Sequence, residues 1–169
     1  RQMCIRDSSS AVMTPPAARG IIEAIYWKPA IKYIIDKIYV LNPIEYAEVT
    51  IDNRKLTVLK DVRYVIKAHF DLTERAHEKM TEQRYYARLM ANINAGQFHH
   101  QPYFGYREFP VSFRPWSKTG KIDTAYPTEI KNLGYMLYDM DFSDPTEIRP
   151  LVFKAVLILS LIHISEPTR

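Results

Sequence analysis

Leu56-Thr57-Val58-Leu59-Lys60-Asp61-Val62-Arg63-Tyr64-Val65-Ile66-Lys67-Ala68-His69-Phe70-Asp71-Leu72 reads as one long strand. Val62, Tyr64, Ile66, Ala68 and Phe70 fall on one face; Arg63, Val65, Lys67 and His69 fall on the other. Side chains alternate across a strand, so one face is apolar and the other carries cations. A sheet that buries one side and offers the other to a ligand has this pattern, and antiparallel sheets are the kind that leave a face in water.

The flanking segments extend that reading. Thr14-Pro15-Pro16 opens a helix, with Thr as N-cap and Pro in the first turn. Ala18, Ile21, Ile22 and Ile25 follow at helical spacing, and Pro29 ends the run. Ile31–Leu41 alternates and is rich in Ile, Tyr and Val, so it is a strand; Glu45–Ile51 is a weaker one, with a turn at Asp52-Asn53. Thr81–Ala95 is helical, with Tyr86, Leu89, Met90 and Ile93 inward and Gly96 at the C-cap position. Gln97–Phe109 is a loop dense in His, Tyr and Phe, and Phe109–Phe113 is a short extended piece. Arg114–Pro127 is polar and expected to be exposed. Leu133–Phe142 is a strand, Asp144-Pro145 turns, and Leu151–Leu157 begins another strand. The order of helix, strands, helix, strands gives an α+β domain with an antiparallel sheet. A leading strand before Thr14 would complete a ferredoxin-like βαββαβ unit.

The two ends carry a different signal. Met3–Ser8 can be encoded by ATGTGTATAAGAGACAG, and the reverse complement of that stretch encodes Leu159-Ser160-Leu161-Ile162-His163 and begins the codon of Ile164. Unrelated termini have no reason to be reverse complements, whereas a sequencing-library adapter is shared by both ends of an insert. Residues 1–8 and 159–169 are therefore expected to be adapter-encoded, with a single domain over 9–158. The sole cysteine, Cys4, falls in the first of these stretches, so cysteine usage says nothing about redox compartment. The apolar run Leu151–Ile164, interrupted by Lys154, is too short to span a bilayer.

Composition is ordinary for a globular chain: 47% hydrophobic and 25% charged, with a formal net charge of +4. Such a mild excess permits nucleic-acid binding without demanding it. The 12 tyrosines suit both base stacking and strand formation. There is no Walker loop and no Gly-x-Ser-x-Gly. His77, His99 and His100 lack carboxylate or cysteine partners at ligand spacing, so neither a metal nor a cofactor is expected.

Three blocks carry a resemblance: Met13-Thr14-Pro15-Pro16-Ala17-Ala18-Arg19-Gly20-Ile21-Ile22-Glu23-Ala24-Ile25-Tyr26-Trp27-Lys28-Pro29, the stretch Val62–Phe70, and Gly96–Pro110 (GQFHHQPYFGYREFP). In order and spacing they resemble the CRISPR-associated family five proteins of subtype I-C. The resemblance implies a ferredoxin-like, RRM-related domain of the RAMP superfamily with a C-terminal sheet extension. It further implies metal-independent cutting of precursor CRISPR RNA at the repeat hairpin, and retention on the 5′ handle beside other subunits of the type I-C interference complex. A cytoplasmic location and no membrane partner go with it. Against that pattern, residues 9–158 would lack the first strand and stop inside the strand Leu151–Ile158, and the apolar Leu161–Ile164 would fill part of the gap.

Metal-independent RNA cleavage uses the substrate's own 2′-hydroxyl, held in line with the phosphate. A proton must leave that hydroxyl, another must reach the departing 5′-oxygen, and the phosphate charge must be offset. The resemblance places the family tyrosine on Tyr26. Where the family has a Lys-His pair at the start of the second helix, this chain has Arg84 and Tyr85. Arginine can hold a phosphate but does not give up its proton, and tyrosine, with an ordinary pKa of about 10, is a poor base. His100, in the family's His-Gln-Pro-Tyr position, is the substitute candidate, with His99 beside it. Arg19, Lys28, Lys67, His69, Arg88, His99 and Arg107 are candidates to line the RNA path. The departure at Arg84-Tyr85 leaves open a non-catalytic subunit that binds the CRISPR RNA handle. A third reading is a structural interaction domain with no RNA role.

Overall fold

The computed structural model describes residues 11–76, 80–116, 122–141, 143 and 147–164. Its elements are α1 (Pro15–Ile25), β1 (Ile31–Val40), β2 (Glu45–Ile51), β3 (Arg54–Lys60), β4 (Tyr64–Leu72), α2 (Glu82–Ala95), β5 (Ile130–Asp141), β6 (Arg149–Ile158) and β7 (Leu161–His163). The class is α+β, with a five-stranded sheet in the order β4-β1-β7-β6-β5 and a separate β2-β3 pair. Backbone packing divides the chain into two compact units, and β1 and β4 each pass from one to the other.

The first unit holds Ala17–Asp36 and Ala68–Gly120, and so most of α1, all of α2 and the adjoining ends of β1 and β4. Ala18, Ile21 and Ile25 put one stripe of α1 inside, as their spacing requires. Ile25, Ala30, Ile31, Tyr33, Tyr85 and Leu89 form a buried cluster, with Ile22, Tyr26, Phe70, Ile93 and Phe113 packed on it. Tyr33 meets Phe70 edge-to-face, ring centroids 6.0 Å apart. The inward stripe of α2 is turned one position from the expected one: Tyr85 is 5% exposed and Tyr86 51%. Tyr85, Leu89 and Ile93 lie four apart and share a face. Apolar residues occupy both 85 and 86, so hydrophobicity alone did not set the phase. Gly96 closes α2 in the left-handed region at φ 64°, its amide answering the Ile93 carbonyl.

The second unit contains Lys37–Lys67 and the described residues beyond Lys121. Ile51 pairs with Arg54, and between them Asp52 and Asn53 both take positive φ, 49° and 60°. A two-residue hairpin loop whose twist suits its strands demands that pair of conformations, and Asp and Asn tolerate it. The long strand read over Leu56–Leu72 is two strands. Asp61 turns left-handed at φ 47° and its carbonyl accepts the Asn42 side-chain amide at 2.6 Å, which breaks the run between β3 and β4. The alternation itself persists in β4, where Ile66, Ala68 and Phe70 are more covered than Lys67 and His69.

β5 and β6 pair antiparallel from Ile130↔Ile158 to Asp141↔Arg149, with register shifts between Asn132 and Gly134 and between Leu137 and Asp139. Phe153, Ala155 and Leu157 of β6 are buried. β7 lies between β1 and β6, its Ile162 opposite both Ile38 and Leu157. This strand falls within 159–169; residues 1–8, the region of a leading strand, and the Asp144-Pro145 turn lie outside the described residues. The Phe109–Phe113 piece makes only one bridge, Tyr103↔Pro110. Within Arg114–Pro127, Tyr126 is buried rather than exposed, and its hydroxyl accepts the Ile44 amide at 2.7 Å. No helix among the described residues is long and apolar enough to cross a membrane.

Candidate active site

The site is built where α1 ends. The last carbonyls of a helix have no partner within it and must find one elsewhere. The Ala24 carbonyl accepts both the His99 amide, at 2.9 Å, and the His100 amide, at 3.0 Å. The Ile25 carbonyl accepts the Asn92 side-chain amide at 3.2 Å, and the Tyr26 carbonyl accepts the buried Tyr33 hydroxyl at 2.8 Å. Three consecutive carbonyls thus tie the end of α1 to the last turn of α2, to the histidine loop and to β1.

The tied ends enclose an open cleft of about 550 Å³ lined by Ile25, Tyr26, Trp27, Lys28, Asn92, Gly96, Gln97, Phe98 and His99. Tyr26 follows the last helical residue, its amide still bonded to the Ile22 carbonyl at 3.0 Å. Burial pushes its phenol up from the ordinary tyrosine value, the neighbouring Tyr85 phenol adds to the rise, and Arg88 opposes it. At neutral pH Tyr26 is therefore a neutral hydroxyl. It can donate a hydrogen bond to a phosphate oxygen, or a proton to a leaving oxygen, more readily than it can take a proton.

His99 and Lys28 line the cleft with Tyr26. The His100 ring lies against that of His99, centroids 4.2 Å apart. Tyr85 is buried in the cluster on which Tyr26 packs; Arg84 and Arg88 are both exposed on α2. Arg19 pairs with Glu23 one turn along α1, at 4.0 Å. His69 Nδ1 is 2.8 Å from the Asp36 carboxylate, so this imidazole is engaged within the protein. Lys67 is an exposed residue of β4, and Arg107 is exposed in the loop after α2. Trp27, Phe98, Asn92 and Gln97 were not singled out from the sequence. Trp27 and Phe98 stand inside two of the quoted blocks, yet nothing in their spacing distinguishes a core aromatic from an exposed one.

Solved structures share this architecture. The crystal structure of a functionally uncharacterized protein from Streptococcus mutans, SMU1763c, superposes with a TM-score of 0.84 at 24% identity, covering 95% of this chain and 84% of that one. A crystal structure described as a CRISPR-associated protein gives 0.82 at 24%, covering 92% and 81%. The fold class is therefore the α+β architecture found in a CRISPR-associated protein. In sequence, the family model for "CRISPR-associated protein (Cas_Cas5)" matches residues 2–162. The CRISPR pre-crRNA endoribonuclease Cas5d of Mannheimia succiniciproducens is 34% identical over 176 residues, covering 83% of this chain and 78% of that protein. The protein of the same name from Thermus thermophilus is 34% identical over 166 residues, covering 86% and 69%. The chain belongs to the Cas5 family of CRISPR-associated proteins.

Proposed function

We propose that the chain is an endoribonuclease of CRISPR RNA maturation, cutting precursor CRISPR RNA at the repeat hairpin without a metal ion. The observation that carries this reading is one cleft lined by Tyr26, Lys28 and His99, in a chain whose relatives are named pre-crRNA endoribonucleases. The 2′-hydroxyl before the scissile phosphate attacks phosphorus, giving a 2′,3′-cyclic phosphate and releasing the 5′-oxygen. His99 or His100 takes the proton from the 2′-hydroxyl, Tyr26 hydrogen-bonds the phosphate and gives its proton to the departing 5′-oxygen, and Lys28 with Arg88 offsets the phosphate charge. The product's 5′ handle then stays bound, and with it the protein joins the other subunits of a type I-C interference complex.

The test is cleavage of a repeat-hairpin RNA by the full-length protein in excess EDTA, with Tyr26→Phe alongside. Cleavage persists in EDTA and falls about 10²–10⁴-fold in the variant, the range one proton-transfer group supplies. Undiminished cutting by Tyr26→Phe would remove Tyr26 from the chemistry, and abolition by EDTA would remove the metal-free mechanism.

A second reading, a handle-binding subunit without activity, is favoured by the burial of Tyr85 and by Arg84-Tyr85 standing where the resemblance calls for Lys-His. It requires tight hairpin binding with no cleavage under any condition. We further propose that residues 1–8 and 159–169 are adapter-encoded. Sequencing the source locus across both ends then yields different residues there; recovery of the same ones would refute this.

A further inference from the structure

The cleft beside Tyr26 holds more than proton-transfer groups. Trp27 is 49% exposed, although the backbone on both sides of it is fixed. The preceding carbonyl, of Tyr26, takes the Tyr33 hydroxyl at 2.8 Å, and the following one, of Lys28, takes the Ile31 amide at 3.1 Å. An indole left half in water on a rigid turn keeps a large apolar face uncovered. Phe98, 43% exposed, lines the same cleft and is backed edge-to-face by Phe113, centroids 6.5 Å apart, which itself packs on the core. Asn92 lines the same cleft, its side-chain amide anchored through its nitrogen to the Ile25 carbonyl. Lys28 supplies a cation to the same cleft.

We propose that this cleft is a nucleobase subsite: one unpaired base of the RNA, next to the cut phosphate, stacks on Trp27 with Phe98 as the second aromatic wall. The inference rests on the endoribonuclease reading and names a specificity element within it. Unpaired bases are bound by stacking on aromatic rings and by hydrogen bonds to their edges, and amide side chains suit those edges. Lys28 meets the adjoining phosphate, and the reacting phosphodiester is thereby brought against Tyr26. An apolar protein partner would account for the two aromatics but not for the amide and ammonium groups set among them.

The experiment uses full-length protein and a repeat hairpin with a 2′-deoxy residue at the cut site, so that binding is read without cleavage. Trp27→Ala weakens binding roughly tenfold or more, the scale of one lost base stack, while Trp27→Phe recovers most of it. Removing single bases near the cut identifies one position whose loss weakens wild type equally but adds nothing to Trp27→Ala. A 2-aminopurine at that position is quenched when wild type binds, a readout that needs no variant. Wild-type affinity in Trp27→Ala, additive losses, or no quenched position overturns the subsite. A Trp27→Ala protein that binds RNA normally but fails to assemble with other subunits also overturns it, and assigns the aromatics to a protein contact. Loss of hairpin preference in wild type itself, visible before any variant is made, defeats the endoribonuclease reading and the subsite together.

Discussion

The Tyr33 hydroxyl, on β1, donates a hydrogen bond to the main-chain carbonyl of Tyr26 at 2.8 Å. Burial drives the Tyr33 phenol far above its ordinary value, so it remains a protonated donor at neutral pH. Tyr33→Phe leaves the ring in the core but leaves that carbonyl without this donor. The expected cost is about 1 kcal/mol of stability. Cleavage should fall further than that modest cost implies, because the residue carrying the phenol loses its anchor. Denaturant unfolding and single-turnover rates measured together check this; a stability loss with an unchanged rate would mean the anchor is not felt at the site.

Tyr85 separates two roles that the sequence could not. Its ring belongs to the buried cluster with Leu89 and Tyr33. Tyr85→Phe should therefore cut RNA at close to the wild-type rate. Tyr85→Ala should lose about 3–5 kcal/mol, as large aromatic deletions in cores do. A hundredfold slower Tyr85→Phe enzyme of unchanged stability would instead return Tyr85 to the chemistry.

At Gly96 the cost of substitution lies in the backbone. An added Cβ meets nothing within 4 Å, yet φ is +64°. Gly96→Ala should destabilise by about 1–2 kcal/mol, the penalty of a left-handed residue with a side chain. A midpoint of denaturation equal to wild type would show that the end of α2 relaxes.

Tyr64 makes stability sensitive to alkali. Burial raises its phenol to about 12, while the Met13 amide donating to the hydroxyl at 3.3 Å pulls the other way. Between the unfolded value near 10 and the folded value near 12 the native state holds a proton that the unfolded state has released. Its contribution is thus complete below pH 10 and disappears as pH climbs toward 12. Thermal unfolding from pH 8 upward should show a steepening loss above pH 10 that is shallower in Tyr64→Phe.

Local chemistry made much of this molecule readable. Pro15 and the Ile21–Ile25 spacing determined α1, Asp52-Asn53 marked the hairpin, and Gly96 ended α2, because each signal acts over a few residues. The failures are of another kind. The break at Asp61 depends on Asn42 donating to its carbonyl from another segment. The phase of α2 depends on which of two adjacent tyrosines Leu89 and Tyr33 accept as a neighbour. At the site, Tyr26, which the family blocks single out, lines the cleft. The half-exposed Trp27 and Phe98 were not singled out, since exposure is decided by what the rest of the chain leaves uncovered.

The shared acceptor at Ala24 has a practical consequence for genetics. Both amides that fix the histidine loop come from the main chain, and so does the oxygen they share. Replacing the His99 or His100 imidazole therefore leaves the tether in place, and such variants test the proposed chemistry apart from the architecture. Proline at either position is the contrasting case: it deletes the tethering N–H itself. Alanine and proline at the same two codons thus form a paired control that separates loss of a functional group from loss of its placement.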